Sequence, residues 1–170
     1  MIEVKIHRGI LKRRIPYIDK VILHEGINWI RGVGGSGKTT LLQALYNFPA
    51  LSYNKEVQSD IDLPASKLLL ADFEKCKCSD SLLDEHFQML RETSSSEEAR
   101  IDFIEILLEH VQSKSYELVL LDNPLNTISD MNIEPILNSI KVLSDSAIVV
   151  ASYNGSLEFS VGHTIQLKEK

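Results

Sequence analysis

The residues of this chain best equipped for chemistry are Gly32-Val33-Gly34-Gly35-Ser36-Gly37-Lys38-Thr39. Glycines let a backbone curl with successive N–H groups pointing inward, because no Cβ resists the turn. Such a cradle, continued by the positive end of a helix, attracts an anion such as a triphosphate. Lys38 then supplies a point charge for the outer phosphates, Thr39 a hydroxyl for Mg²⁺, and Thr40 carries the run into the helix. The pattern is meaningful only between a strand and a helix. Here Ile27-Asn28-Trp29-Ile30 precedes it and Leu41-Leu42-Gln43-Ala44-Leu45 follows. A glycine-rich turn that binds nothing would leave Lys38, Thr39 and both flanks to coincidence. A nucleoside triphosphate site is expected.

A site of this kind needs a protein partner for its metal. Leu118-Val119-Leu120-Leu121-Asp122 offers one: a buried strand delivers an aspartate to its exit, where a carboxylate holds the water shell of Mg²⁺. The plainer alternative is a carboxylate that caps a strand end. Four apolar residues before Asp122 and Pro124 two residues after it favour the metal role.

Positioning these groups takes alternating strands and helices. Ile2 to His7 alternates apolar and polar residues, as a half-buried strand does. Ile15 to Leu23 predicts a second strand, weakened at its start by Pro16, and the polar connection Arg8 to Arg14 makes the two a hairpin. After the turn His24-Glu25-Gly26, a strand from Ile27 to Val33 enters the glycine-rich loop. A helix from Gly37 to about Asn47 stops ahead of Pro49. Residues 50–66 read as polar and irregular, Lys67 to Ala71 as a strand buried on both faces, and Asp72 to Asp80 as a charged loop. Ser81 to Leu90 carries Leu82, Leu83, Phe87 and Leu90 at helical spacing. A further helix carries Ile101, Ile104, Leu107, Leu108 and Val111 on one face. Tyr116 to Leu121 is a buried strand. The helix after it carries Ile133, Ile136, Leu137, Ile140 and Leu143, with Pro135 in its first turn. Ala147 to Ala151 is again a buried strand, and His163 to Leu167 an edge strand. The expected class is therefore α/β, one domain over residues 1–170, with a central mostly parallel sheet flanked by helices and an N-terminal antiparallel hairpin.

Composition narrows the setting. With 44% hydrophobic and 25% charged residues the chain reads as a soluble globular protein. It has no apolar run near the ~20 residues of a membrane span. Its N-terminus, Met1-Ile2-Glu3-Val4-Lys5, lacks the apolar core of a signal peptide, so a cytoplasmic location is expected. Cys76 and Cys78 are too close for an easy disulfide and have no second pair to complete a zinc site; they read as reduced and structural. Residues 1–40 hold 8 Lys and Arg against 3 Asp and Glu, whereas the remainder holds 10 against 21. The basic cluster Arg8, Lys12, Arg13, Arg14 suits either an anionic surface or a solvated hairpin beside a nucleotide. The acidic remainder argues against a duplex-binding face, and no nucleic-acid partner is expected.

In these motifs and their order the chain resembles the ATP-binding cassette (ABC) ATPases. The resemblance runs through His24-Glu25-Gly26, the Gly-x-x-Gly-Ser-Gly-Lys-Thr-Thr-Leu-Leu region ending at Leu42, Tyr116 to Leu125 with its Asp122-Asn123-Pro124-Leu125 exit, and Gly162 to Leu167. It implies a P-loop NTPase fold, with ATP and Mg²⁺ as cofactors. Gly32, Val33, Gly34, Gly35, Ser36, Gly37, Lys38, Thr39 and Thr40 would bind nucleotide; Thr39, Asp122 and Asp72 would serve the metal. The resemblance also implies pairing with a second cassette and a membrane-spanning subunit, at the inner face of the cell membrane.

Several positions depart from the family pattern. Asn123 stands where the family has a glutamate that polarises the attacking water, and an amide cannot accept a proton. Tyr153 replaces a histidine that contacts the γ-phosphate, and is not a cation near neutral pH. Asp72 stands for a glutamine, and Ser129, followed by Asp130, for an aspartate. The family's Leu-Ser-Gly-Gly-Gln signature is represented only by Thr93-Ser94-Ser95-Ser96-Glu97, where Ser94 and Glu97 also fit a capping box. An adenine-stacking aromatic is missing from the hairpin, leaving Arg8 or Arg13 for that role. The expectation is an ATP-binding transporter subunit that hydrolyses ATP weakly or only with a partner, through Lys38, Asp122, Asn123 and Tyr153. It would be a weak homodimer at most. The alternative is a soluble nucleotide-dependent regulatory or assembly ATPase. A kinase is disfavoured, since Arg91 and Arg100 are the only arginines past Thr40 to form a lid.

Overall fold

Five-residue strands of almost wholly apolar sequence form the centre of the molecule because both of their faces are covered. The computed structural model describes residues 1–8, 19–32, 37–46, 57–92, 96–126, 128–141, 145–151 and 162–167. An antiparallel sheet is built from β1 (Ile2–Arg8), β2 (Lys20–Leu23) and β4 (Val57–Ser59) in the order β2-β1-β4. The main sheet uses β3 (Gly26–Arg31), β5 (Leu68–Asp72), β6 (Lys77–Cys78), β7 (Leu118–Asp122), β8 (Ala147–Ala151) and β9 (His163–Gln166). Its order is β6-β5-β7-β8-β3-β9, and all its pairs are parallel except β5 with β6. The helices are α1 (Lys38–Tyr46), α2 (Ser81–Glu92), α3 (Glu97–Lys114) and α4 (Asp130–Lys141). This is the expected mostly parallel α/β architecture with an N-terminal antiparallel hairpin.

Alternation along each strand divides its side chains between two cores. Leu69, Ala71, Val119, Leu121, Ile148, Val150, Ile27 and Trp29 pack with α2, α3 and α4. Leu68, Leu70, Leu118, Leu120, Val149 and Ile30 pack with α1 and the antiparallel sheet. The same alternation assigns the last residues of β5 and β7, Asp72 and Asp122, to the α1 side. They are direct partners in the parallel register. Both therefore leave the sheet at one end, on the face that α1 covers.

The structure corrects several boundaries. Residues 50–66 contain β4, which pairs Ser59 with Ile6 and ties back to α1 through Ser59 Oγ donating to the Ala44 carbonyl at 2.6 Å. The charged stretch from Asp72 contains β6, held by the Ala71–Cys78 pairing and by Ser79 N–H donating to the Leu70 carbonyl. Strands of three and two residues have no periodicity to read. Asp72 and Asp122 are the last residues of strands rather than the first of loops. Pro135 is not in the first turn of α4 but inside the helix, where its missing N–H removes one intrahelical bond. On α3 the buried set includes Phe103, which stacks on Phe87 of α2 at 3.8 Å, while Ile101 only flanks the core. Cys76 and Cys78 are buried free thiols, as expected. Residues 15–18 and Leu143 lie outside the described residues.

Gly162 precedes β9 at φ +95, and a Cβ there would lie 2.4 Å from the Ile27 carbonyl oxygen of β3. The clash is with backbone, so no rotamer change relieves it. Gly162→Ala should destabilise the fold by at least ~2 kcal/mol, from left-handed strain plus the steric contact. Urea unfolding of both proteins checks this; equal midpoints would contradict it.

Candidate nucleotide and metal site

α1 starts at Lys38 because Gly37, at φ +94, turns the chain and its carbonyl accepts the first helical hydrogen bond, from Leu41 N–H at 2.9 Å. The Lys38 side chain is buried, and its Nζ donates to the Gly32 carbonyl at 2.6 Å. The ammonium is thus folded against the first residue of the glycine-rich loop. Burial pulls its pKa down, and the negative charge of Asp122 partly restores it. Thr40 is half-buried in the same first turn.

Asp122 is 3% exposed, and its Oδ1 has no hydrogen-bond partner among the described residues. The Thr39 hydroxyl donates to the same carboxylate. Burial pushes the Asp122 pKa up to about 6; the Thr39 bond opposes this, Asp72 and Glu74 add to it by repulsion, and Lys75 opposes it. Asp72, its register partner, accepts the backbone N–H groups of Glu74 and Lys75 on Oδ1, each at 3.0 Å. That turn fixes one oxygen of Asp72. A buried carboxylate oxygen without a partner is costly, and a cation would remove the cost. The donors available, Thr39, Asp122 and Asp72, are all oxygens, the set that suits a hard ion such as Mg²⁺. The residues present fit that metal.

Asn123 follows at φ +55 and 2% exposure, its N–H donating to the Ala151 carbonyl at the tip of β8 and its Oδ1 unpartnered among the described residues. Asparagine tolerates the left-handed region better than most side chains. A cleft beside these groups is lined by Leu42, Gln43, Leu70, Asp72, Lys75, Lys77 and Asp122. Lys75 and Lys77 escaped the sequence reading because β6, which carries Lys77 back beside Asp72, is only two residues long. Gly32, Gly37, Lys38, Thr39, Thr40, Asp72, Asp122 and Asn123 thus gather where β3, β5 and β7 end, the edge of a parallel sheet at which ligands bind. Val33, Gly34, Gly35, Ser36 and Tyr153 lie outside the described residues.

No family model matches the sequence, and neither does any curated protein. Solved structures do match. One is a Pyrococcus furiosus protein assigned as an ABC transporter ATP-binding protein, with TM-score 0.57, 15% identity, and 97% of each chain covered. Another is a nucleotide-free ATP-binding cassette from an ABC transporter, with TM-score 0.60, 10% identity, and 98% of this chain and 88% of that one covered. The chain has the fold of an ABC-type ATPase.

Within this ABC-type fold, the start of α3 departs from the expected capping box. The N-cap is Ser96, whose side chain accepts from Ala99 N–H at 3.2 Å. Glu97 instead reaches across to α4: its Oε1 accepts from Ser129 N–H and Ser129 Oγ, both at 2.6 Å, and from Asn132 Nδ2 at 3.0 Å. The Ser129 hydroxyl, the Asn132 amide and the Ser129 N–H together hold its carboxyl below the usual range. Glu97 is therefore an anion, placed in the first turn of α3 and against the start of α4, where helix dipoles favour it.

The raised pKa of Asp122 has a consequence for stability. Below pH 3.8, its ordinary value, folded and unfolded chains both hold the proton; between there and about 6 only the folded chain does. The ligand-free fold should lose stability as pH rises through that window, then level off. Asp122→Asn removes the charge, so at pH 8 it should be more stable than the wild type by on the order of 3 kcal/mol, with little difference at pH 4. Denaturant unfolding at the two pH values measures this, and a gap that does not widen with pH would refute it.

Proposed function

We propose that residues 1–170 form one ATP-binding domain that serves as the nucleotide-binding subunit of a transporter. The observation that carries the reading is the buried Asp122 carboxylate, bonded by Thr39 and with Oδ1 unpartnered, directly beside the N-terminus of α1 and the Lys38 ammonium. In this reading Gly32 to Thr40 cradle the phosphates, with Lys38 exchanging the Gly32 carbonyl for a phosphate oxygen. Thr39, Asp122 and Asp72 hold Mg²⁺, which neutralises phosphate charge when bound. Asn123 orients water without taking its proton, and Tyr153 donates a hydrogen bond but no positive charge. Hydrolysis is accordingly slow in the isolated chain.

The transporter role draws on the ABC transporter proteins that share the fold. A second cassette and a membrane-spanning subunit are the partners it requires, which would bring the chain to the inner face of a membrane. No helix among the described residues is long and apolar enough to cross one. Glu97 supports a mixed pair over a homodimer: an anion fixed in the first turn of α3 is a poor cap for a partner's γ-phosphate.

Calorimetric titration with ATP, with and without Mg²⁺, tests the site. The wild type should bind ATP more tightly with Mg²⁺, and Asp122→Asn should lose that gain while retaining metal-free binding. Absence of ATP binding by the wild type, or a Mg²⁺ gain intact in Asp122→Asn, would overturn the reading.

A further inference from the structure

We infer that Arg100 is a positioning residue for the carboxylate pair Asp72 and Asp122, acting through the peptide of Phe73. The inference rests on the proposed role of that pair in holding the metal. Arg100 lies in the first turn of α3. Its Nη1 donates to the Asn126 carbonyl at 3.2 Å and its Nη2 to the Phe73 carbonyl at 3.4 Å. The Phe73 N–H donates in turn to the Asp122 carbonyl at 3.0 Å. The peptides on either side of Phe73 are therefore held between the end of β7 and the guanidinium. Its ring is anchored against Phe87 and Phe103, with centroids 5.1 and 5.6 Å away.

Phe73 directly follows Asp72, and Asp72 Oδ1 is held by the next two N–H groups of the same turn. The orientation of that turn therefore sets the orientation of the carboxylate. On the other side, Asn126 ends the turn that begins at Asn123, through Asn126 N–H donating to the Asn123 carbonyl at 3.4 Å. One guanidinium thus fastens both segments that leave the sheet beside the two carboxylates. Arg100 accomplishes this with no ion pair, and with a buried Nε that has no hydrogen-bond partner, among the described residues. Such an arrangement is not explained by stability alone, since Arg100 is half-buried and its buried Nε, left without a hydrogen bond among the described residues, is costly. A rigid fork can span two divergent carbonyls; a lysine ammonium is a point donor on a flexible stem and holds such a pair poorly.

The test compares wild type, Arg100→Lys and Arg100→Ala, with Arg91→Ala as control because Arg91 holds the far end of the same turn at the Cys76 carbonyl. Calorimetry with ATP should show metal-free affinity within about twofold of wild type in every variant, but a Mg²⁺-dependent gain reduced at least about fivefold in both Arg100 variants and unchanged in Arg91→Ala. An undiminished gain in the Arg100 variants, or equal losses with and without Mg²⁺, overturns the inference. A wild type with no Mg²⁺ gain would overturn the site reading instead. Amide exchange in the ligand-free protein then decides Arg100 separately. The Phe73 N–H should exchange at least about tenfold faster in Arg100→Lys while the Ala147 N–H, bonded to the Glu117 carbonyl at the sheet's other end, is unaffected. Unchanged exchange at Phe73, or equal acceleration at both amides, means that Arg100 does not position the pair.

Discussion

Lys38→Ala should weaken MgATP binding at least about tenfold, ~1.4 kcal/mol or more. The side chain is placed for this role by two local causes: α1 begins at residue 38, and Gly37 turns the chain immediately before it. Its ammonium is partly desolvated, which lowers its pKa, so a phosphate that replaces the Gly32 carbonyl meets a cation already stripped of much of its water. Coulomb attraction is strongest in such a setting. Lys75 and Lys77 line the same cleft and retain some attraction, so binding should weaken rather than vanish. The fold should tolerate the change, because removing a buried ammonium also removes its desolvation cost. Calorimetry on both proteins, with circular dichroism to verify folding, is the measurement. Equal affinities would mean that the glycine-rich loop does not hold a triphosphate.

Asn123→Glu is expected to raise ATP turnover of the purified chain. A correctly placed general base is worth about 10²–10⁴-fold. The gain here should be nearer 10–10²-fold, for reasons the structure makes specific. Position 123 has φ +55 and is 2% exposed. Glutamate tolerates the left-handed region less well than asparagine, at a cost of ~1 kcal/mol, and brings one more methylene into a tight space. The Asn123 N–H bond to Ala151 is a backbone contact that survives the substitution, so the start of the turn is retained. Phosphate release under steady state would register the change. A wild type that already turns over several times per second, together with an unchanged or slower variant, would remove Asn123 from the chemistry.

Much of the architecture was legible in the residues themselves. Strands β5, β7 and β8 carry almost wholly apolar sequence, which is economical only for strands buried on both faces, and their alternation with helices called for a parallel sheet. The turn into α1 was equally readable, because glycine density and helix onset are local properties. Local signals failed where several residues could do the same task. Ser94, Ser95 and Ser96 are equivalent as caps on paper; Ser96 is the cap in the fold, and Glu97 turns away to Ser129 and Asn132, more than thirty residues on. β4 and β6 are too short for a pattern and exist because β1 and β5 present edges to them.

The sequence by itself determined the class of fold, the anion-cradle pattern and the candidate metal carboxylate, since each depends on residues adjacent in the chain. Only the tertiary structure decided that Asp72 stands opposite Asp122, that both are directed to the α1 side, and that Arg100 joins the turns beyond them. Register between β5 and β7 is set by packing across two cores, and a slip of one residue would turn either aspartate to the opposite face. No stretch of either strand contains that information alone.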